Sequence, residues 1–222
     1  MRLRTLGVTL ALVLTGVAGG FVAGNLLEDD PAAIAAVAPV PAESPGYPVN
    51  EYDVLPDPGI APLGTDLPSH TATLRSGEFG LEASVPDDWR RVTLLGGSTW
   101  NFAAPDNLKN TYVLRIGLIA GQRLSAPAAK GGRILALQTA VADGNLEHLV
   151  IESETDNGFV ATYLDDGYLR VTMERWLTFP DVSTSAYASV AITGREVDRA
   201  GMADLLERVA ASATPVAARD GR

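Results

Sequence analysis

The chain reads as an α+β protein: a mainly antiparallel sheet with helices packed on it, preceded by a transmembrane helix. Three observations carry this. Several runs alternate apolar and polar residues with period two, the mark of half-buried strands. Two turn pairs, Asn157–Gly158 and Asp166–Gly167, join consecutive runs and favour tight antiparallel hairpins. Two segments, near 125–143 and 198–212, carry helical spacing and helix end signals. Strand runs separated by helices imply helices layered over an antiparallel sheet.

The amino terminus stands apart. Residues 1–27 hold Arg2 and Arg4 and no acid, and the run from Leu6 to Leu27 is uncharged. As a helix it would extend about 33 Å, close to the ~30 Å of a bilayer's hydrocarbon. An uncleaved single-span anchor is expected, with the two arginines on the cytoplasmic side. A cleaved secretory signal competes, since Gly19, Gly20 and Gly24 are small residues late in the run. Both readings place the rest of the chain outside the cell membrane.

Residues 28–70 carry eight acids, no Lys or Arg, and nine of the 14 prolines. Proline cannot donate to a ladder and keeps its neighbour extended, so an acidic, Pro-rich linker is expected. Tyr47, Tyr52 and Ile60 are its candidates for resting on the domain that follows.

That domain is assigned to 71–213. "FGLEASV" (79–85) alternates Phe79, Leu81, Ala83 and Val85 against polar or small residues, and Pro86 ends it. "RRVTLL" is a short strand, "GGS" a turn, "TWNFAA" a strand stopped by Pro105, and "TYVLRIGLI" (111–119) another. Ser125 then caps a helix with Pro127 in its first turn, running to Asp143 with Gly144 as terminator. Gly131 and Gly132 weaken its early turns by about 1 kcal/mol each. The two turn pairs next join "LEHLVIESET", "FVATYL" and "YLRVTMERWLTF" into a meander, and "STSAYASVAIT" (183–193) adds a strand. An amphipathic helix follows, capped by Asp198, with Met202, Leu205, Leu206 and Val209 on one face. Residues 214–222 are expected to fray as a disordered tail.

A strand leading into "VPDDWRRV", the strand "TWNFAAP", "YVLRIGLI", a helix and a hairpin strand with Tyr168, Arg170, Val171 and Trp176 resemble exported bacterial proteins of the PsbP-like class. That class includes the LpqN-type lipoproteins and the extrinsic PsbP subunit of photosystem II. The resemblance covers about residues 73–213. It implies an α/β/α sandwich serving as an accessory or partner-binding domain, since members are not generally enzymes. This chain has no cysteine for a lipid anchor.

Composition narrows the chemistry. The net charge of −10, without a basic stripe, excludes an ordinary nucleic-acid binder. Without cysteine, and with only His70 and His148, thiol catalysis and thiolate or imidazole-rich metal sites are excluded. Asp87–Asp88 follow Pro86 in a turn, where aspartates bond local amides, and Trp89 is expected to plug the core. Calcium wants six to eight oxygens, more than the two acidic hairpin turns offer. Glu147 and His148 are strand neighbours on opposite faces, and Ser98 lacks a nucleophile elbow. No catalytic, cofactor-binding or metal-binding residue is assigned.

The strand at 168–178 gives the one candidate surface. Leu169, Val171, Met173 and Leu177 form its core face. Tyr168, Arg170, Glu174 and Trp176 alternate with them, and their types suit an interaction hot spot. The expected function is a non-enzymatic, membrane-anchored, extracytoplasmic interaction or accessory module of the bacterial envelope, single-pass in the cell membrane, meeting an envelope protein partner. A secreted form after signal cleavage is the alternative location. The alternative functions are a small-molecule or lipid carrier, with a pocket between sheet and helix lined by Trp89, Trp100, Phe102 and Tyr112, and a hydrolase using Glu152 or Glu174.

Overall fold

The computed structural model describes residues 53–94, 96–105 and 111–216. Five strands come first: β1 (Ser69–Ser76), β2 (Phe79–Pro86), β3 (Arg90–Thr93), β4 (Thr99–Ala103) and β5 (Val113–Leu118). Helix α1 (Ala126–Ala142) follows, then β6 (Glu147–Thr155), β7 (Gly158–Asp165), β8 (Tyr168–Phe179) and β9 (Ser183–Gly194). Helix α2 (Arg199–Ser212) and β10 (Thr214–Val216) complete the fold. Seven strands form an antiparallel sheet in the order β3-β4-β5-β9-β8-β7-β6, and β1-β2-β10 form a smaller one.

Alternation along the strands builds the layers. Trp100, Phe102, Leu114, Ile116, Val190 and Ile192 all point from the large sheet into one core. There they meet Leu81, Ala83 and Val85 of the small sheet and Met202, Leu205 and Val209 of α2. Tyr187 ties the two sheets together: its hydroxyl donates to the Gly80 carbonyl at 2.9 Å and accepts from the Gly80 amide at 3.3 Å. Phe79 and Phe179 meet its ring edge-on, at 6.1 and 5.4 Å. On the other face of the large sheet lies α1. Its Ser125 cap accepts the Ala128 amide, and Leu137 packs with Phe159, Ala161, Tyr163 and Trp176.

The end of the Pro-rich segment is part of this body. Residues 53–68 lie against the domain, held by Arg195 and Asp198 just before α2. Arg195 is 2% exposed and Asp198 0%. The guanidinium uses all five of its N–H groups: Nε and Nη2 donate to Asp198, Nη1 to the carbonyls of Pro58 and Ile60, and Nη2 also to that of Ala61. Asp198 accepts in addition the backbone amides of Leu63 and Arg195, at 2.9 and 3.0 Å. Leu63 is thereby buried in the core. Asp204 accepts the Asp66 amide and Arg208 donates to the Leu67 carbonyl, so α2 holds the segment along its length.

Several expectations are corrected. No helix among the described residues is long and apolar enough to cross a membrane. With 17 and 14 residues, α1 and α2 extend roughly 25 and 21 Å, short of ~30 Å, and both lie on sheet faces. Among the described residues the fold class is therefore α+β, an antiparallel sheet with packed helices and no spanning helix. The anchored function, the bilayer as partner and the single-pass location lose that support with it; the span expected over 6–27 lies outside the described residues. Thr214–Val216, expected to fray, pairs with β2. Asp198 precedes α2 but does not cap it with its side chain, because its carboxylate is engaged by Arg195 and Leu63.

The hairpins also differ from each other. Asp166 and Gly167 take the expected positive φ, 51° and 79°. At the other turn the central residues are Asp156 and Asn157, and Gly158 already pairs with Thr155. Gly158 is needed for closeness instead: a Cβ there would lie 2.8 Å from the Glu174 carbonyl oxygen. On β6, a register shift and a φ of 52° at His148 break the strand alternation. His148 Nε2 consequently comes within 3.9 Å of Glu147, its expected opposite-face neighbour.

The clasp makes three predictions. Asp198→Ala strands a buried guanidinium and should cost about 3–5 kcal/mol in urea unfolding. Burial opposes ionisation of Asp198, but its hydrogen bonds from Arg195 and Leu63 outweigh it and hold the carboxyl below the usual range. Its stabilisation is therefore complete above the unfolded carboxyl value of about 4, and is lost as pH falls through the lower folded value. An acid titration of stability should show that loss in the parent and not in Asp198→Asn. At Gly201 a Cβ would collide with the Leu63 carbonyl. Gly201→Ala should therefore release residues 53–68 to limited proteolysis while β4 to β9 stay protected.

Candidate functional site

The large sheet is covered unevenly. α1 packs on β6, β8 and β9, and among the described residues the same face of β4 and β5 is left uncovered beside it. An antiparallel sheet tolerates water on one face, and this half is built for it. Strand register sets out the rows. Asn101, Arg115, Ala191 and Glu174 stand side by side across β4, β5, β9 and β8. Next to them run Val113, Thr193 and Thr172 on one side, and Thr99, Gly117, Ser189 and Trp176 on the other. Small residues on β9 and β5 keep the floor low, while α1 rises along one side. The result is a groove of about 810 Å³. A smaller cavity of about 350 Å³ shares Arg115, Arg133, Glu174 and Ala191 with it.

All four residues of the expected partner surface border these cavities. They do not form a flat exposed face. Arg170, Glu174 and Trp176 are 5, 5 and 4% exposed, and Tyr168 is half-buried. Trp176 lies under α1, stacked on Phe159 with ring centroids 5.9 Å apart. Glu174 accepts from Arg133 Nε at 2.9 and 3.2 Å, a helix-to-sheet pair across the groove. Arg170 donates to Asp57 and to the Leu169 carbonyl, both at 2.8 Å, and its guanidinium lies 5.0 Å from the Tyr168 ring centre. Asp57 belongs to the clasped amino-terminal segment, which therefore reaches the groove's rim. Burial pushes the Tyr163 phenol up, so it is a neutral hydroxyl in the wall.

The other candidates do not converge there. Trp100 and Phe102 are buried in the opposite core, with Trp89 and Tyr112 packed against it, and the Trp89 and Tyr112 rings stack at 5.7 Å. None of these four residues lines either of the two cavities beside α1. Trp89 thus plugs the core as expected, and Asp87 receives His70 at 2.9 Å in an exposed contact. Glu152 faces the other layer, where the hydrogen bonds from Arg199 hold its carboxyl below the usual range. It cannot work together with Glu174 across the sheet. Among the described residues, no group of three or more His, Cys, Asp or Glu could hold a metal.

Sequence reasoning missed Arg115, Arg133 and Asp57. Arg115 had a usable signal: it is the one charge in "YVLRIGLI", placed opposite the apolar face. Arg133 had none, since its partner is 41 residues away. No protein-family profile matches this chain, and no curated protein matches it either.

The Arg133–Glu174 pair is open to test. Arg133→Gln leaves a nearly buried carboxylate without its cation and should cost about 1–3 kcal/mol. Arg133→Gln/Glu174→Gln, which removes both charges, should restore more than half of that loss in thermal unfolding.

Proposed function

We propose that this domain binds a small polar ligand in the groove beside α1 and carries out no covalent chemistry on it. The carrying observation is the half-covered sheet face: about 810 Å³ over a floor of small residues, walled by charged and hydroxyl groups. The size suits a small-molecule site, whose polar groups fix orientation. A protein partner could not reach Arg170, Glu174 and Trp176 at their observed burial, whereas a small molecule meets the groove-lining ends of Arg170 and Glu174. The acids offer no matched acid–base pair: Glu174 is tied to Arg133 and Asp57 to Arg170. The resemblance to the PsbP-like class, whose members are not generally enzymes, supports binding over catalysis.

Thermal unfolding of the full-length chain against a panel of small polar metabolites tests this. A ligand at a hundredfold excess over its Kd should add about 2.7 kcal/mol of stability. Ala191→Phe fills the floor from the open side. It should change unfolding of the free protein by less than about 1 kcal/mol and abolish the ligand's effect. A panel with no stabilising compound, together with native mass spectra showing only the bare chain, would overturn the reading.

A further inference from the structure

The charges at the centre of the groove define what its ligand carries. Arg115 stands on β5 with its Nε donating to Asn101 Oδ1 at 3.1 Å. Among the described residues its two terminal nitrogens have no partner. Arg133 comes down from α1 and spends its Nε on both oxygens of Glu174. Its terminal nitrogens are likewise without a partner among the described residues. Both arginines border both cavities, so the two side chains share the space between them.

The local balance is two guanidinium ions against one carboxylate, a net of one positive charge. Arg170 adds nothing to it, since Asp57 neutralises that side chain. Asp165 and Asp166 lie at the far end of the groove. Tyr168, which pairs with Asp165, is six residues along β8 from Glu174, or roughly 20 Å. A planar guanidinium presents paired N–H groups that match a carboxylate's two oxygens. One carboxylate also supplies the single negative charge that neutralises the centre. A phosphate dianion would bring a second charge up against Glu174.

Resting on the groove being the binding site, we infer that Arg115 and Arg133 form a carboxylate subsite. The ligand is a small organic monocarboxylate. Its acid group lies between the two arginines, and its body extends over Ala191 and Thr193.

The test follows arginine Nε–H signals of the ¹⁵N-labelled full-length chain during titration with sodium butyrate, butyramide or inorganic phosphate. Butyrate should move the Arg115 and Arg133 signals in a saturable way, and butyramide should not. Arg115→Gln should weaken butyrate binding by about tenfold or more, with Arg115→Lys in between. Arg91→Gln, on the opposite face of the sheet at β3, should bind as the parent does. Equal responses to butyrate and butyramide would overturn the carboxylate subsite and leave the groove as a neutral-ligand site. Tighter binding of phosphate than of butyrate would overturn the monocarboxylate class. Butyrate binding unchanged in Arg115→Gln would overturn the assignment of Arg115. Should that variant not fold, the acid-against-amide comparison on the parent chain decides. No response at any groove residue overturns the subsite, and combined with a failed metabolite panel it removes the binding site beneath it.

Discussion

The buried pairing of Arg195 with Asp198 is the constraint on which the rest depends. A guanidinium enclosed by protein is costly unless every N–H finds an acceptor, and one carboxylate cannot supply five. The missing acceptors are backbone carbonyls of residues 58–61. The amino-terminal segment is therefore a structural part of the domain, because without it the clasp is incomplete. Its position then brings Asp57 to Arg170 and Leu55 to the β7–β8 turn, where the Leu55 amide donates to the Gly167 carbonyl. A requirement at the start of α2 thus reaches the rim of a groove on the other face of the sheet.

The groove has a simple cause. A single helix laid along the strands, about 10 Å across, is narrower than a seven-stranded sheet, and α1 covers only the side from β6 to β9. Phe159, Tyr163 and Trp176 lie under the helix, while Asn101, Arg115 and Ser189 lie beyond it. Where the cover stops, the residues change from aromatic to small and polar. Arg133, midway along the helix, reaches down to Glu174 and closes that edge with an ion pair instead of a hydrophobic contact.

Local signals revealed what was local. Ser125, Pro127 and Gly144 bounded α1 closely, and Asp166–Gly167 marked a true tight turn, since caps and turns are chosen by neighbours in sequence. The four residues of β8 were correctly grouped on one face by alternation alone. What failed was non-local. β1 (Ser69–Ser76) alternates like a strand, but it adjoins nine prolines, and the boundary at 70/71 left its first two residues in the linker; pairing with β2 decides the matter. Three residues of β10 cannot advertise a partner more than a hundred positions away. Asp198 looked like a cap because a cap is the local use of such a residue, and Arg195 with Leu63 recruited it for another. The site was half legible for the same reason. Parity exposed its floor on β8, whereas Arg133 and Asp57 enter from a helix and a segment whose docking only the tertiary fold determines.

Alternation on β9 has a further consequence for how this protein can change. Val190 and Ile192 belong to the sealed interior, while Ser189, Ala191 and Thr193 border open space, so each neighbouring pair divides its duties between faces. Exchanges at 189, 191 and 193 alter the shape of the recess without disturbing the packing beneath. Ligand preference and folding are thereby written in interleaved but separate letters, and a lineage of such domains is free to diversify in what it holds while keeping its architecture intact.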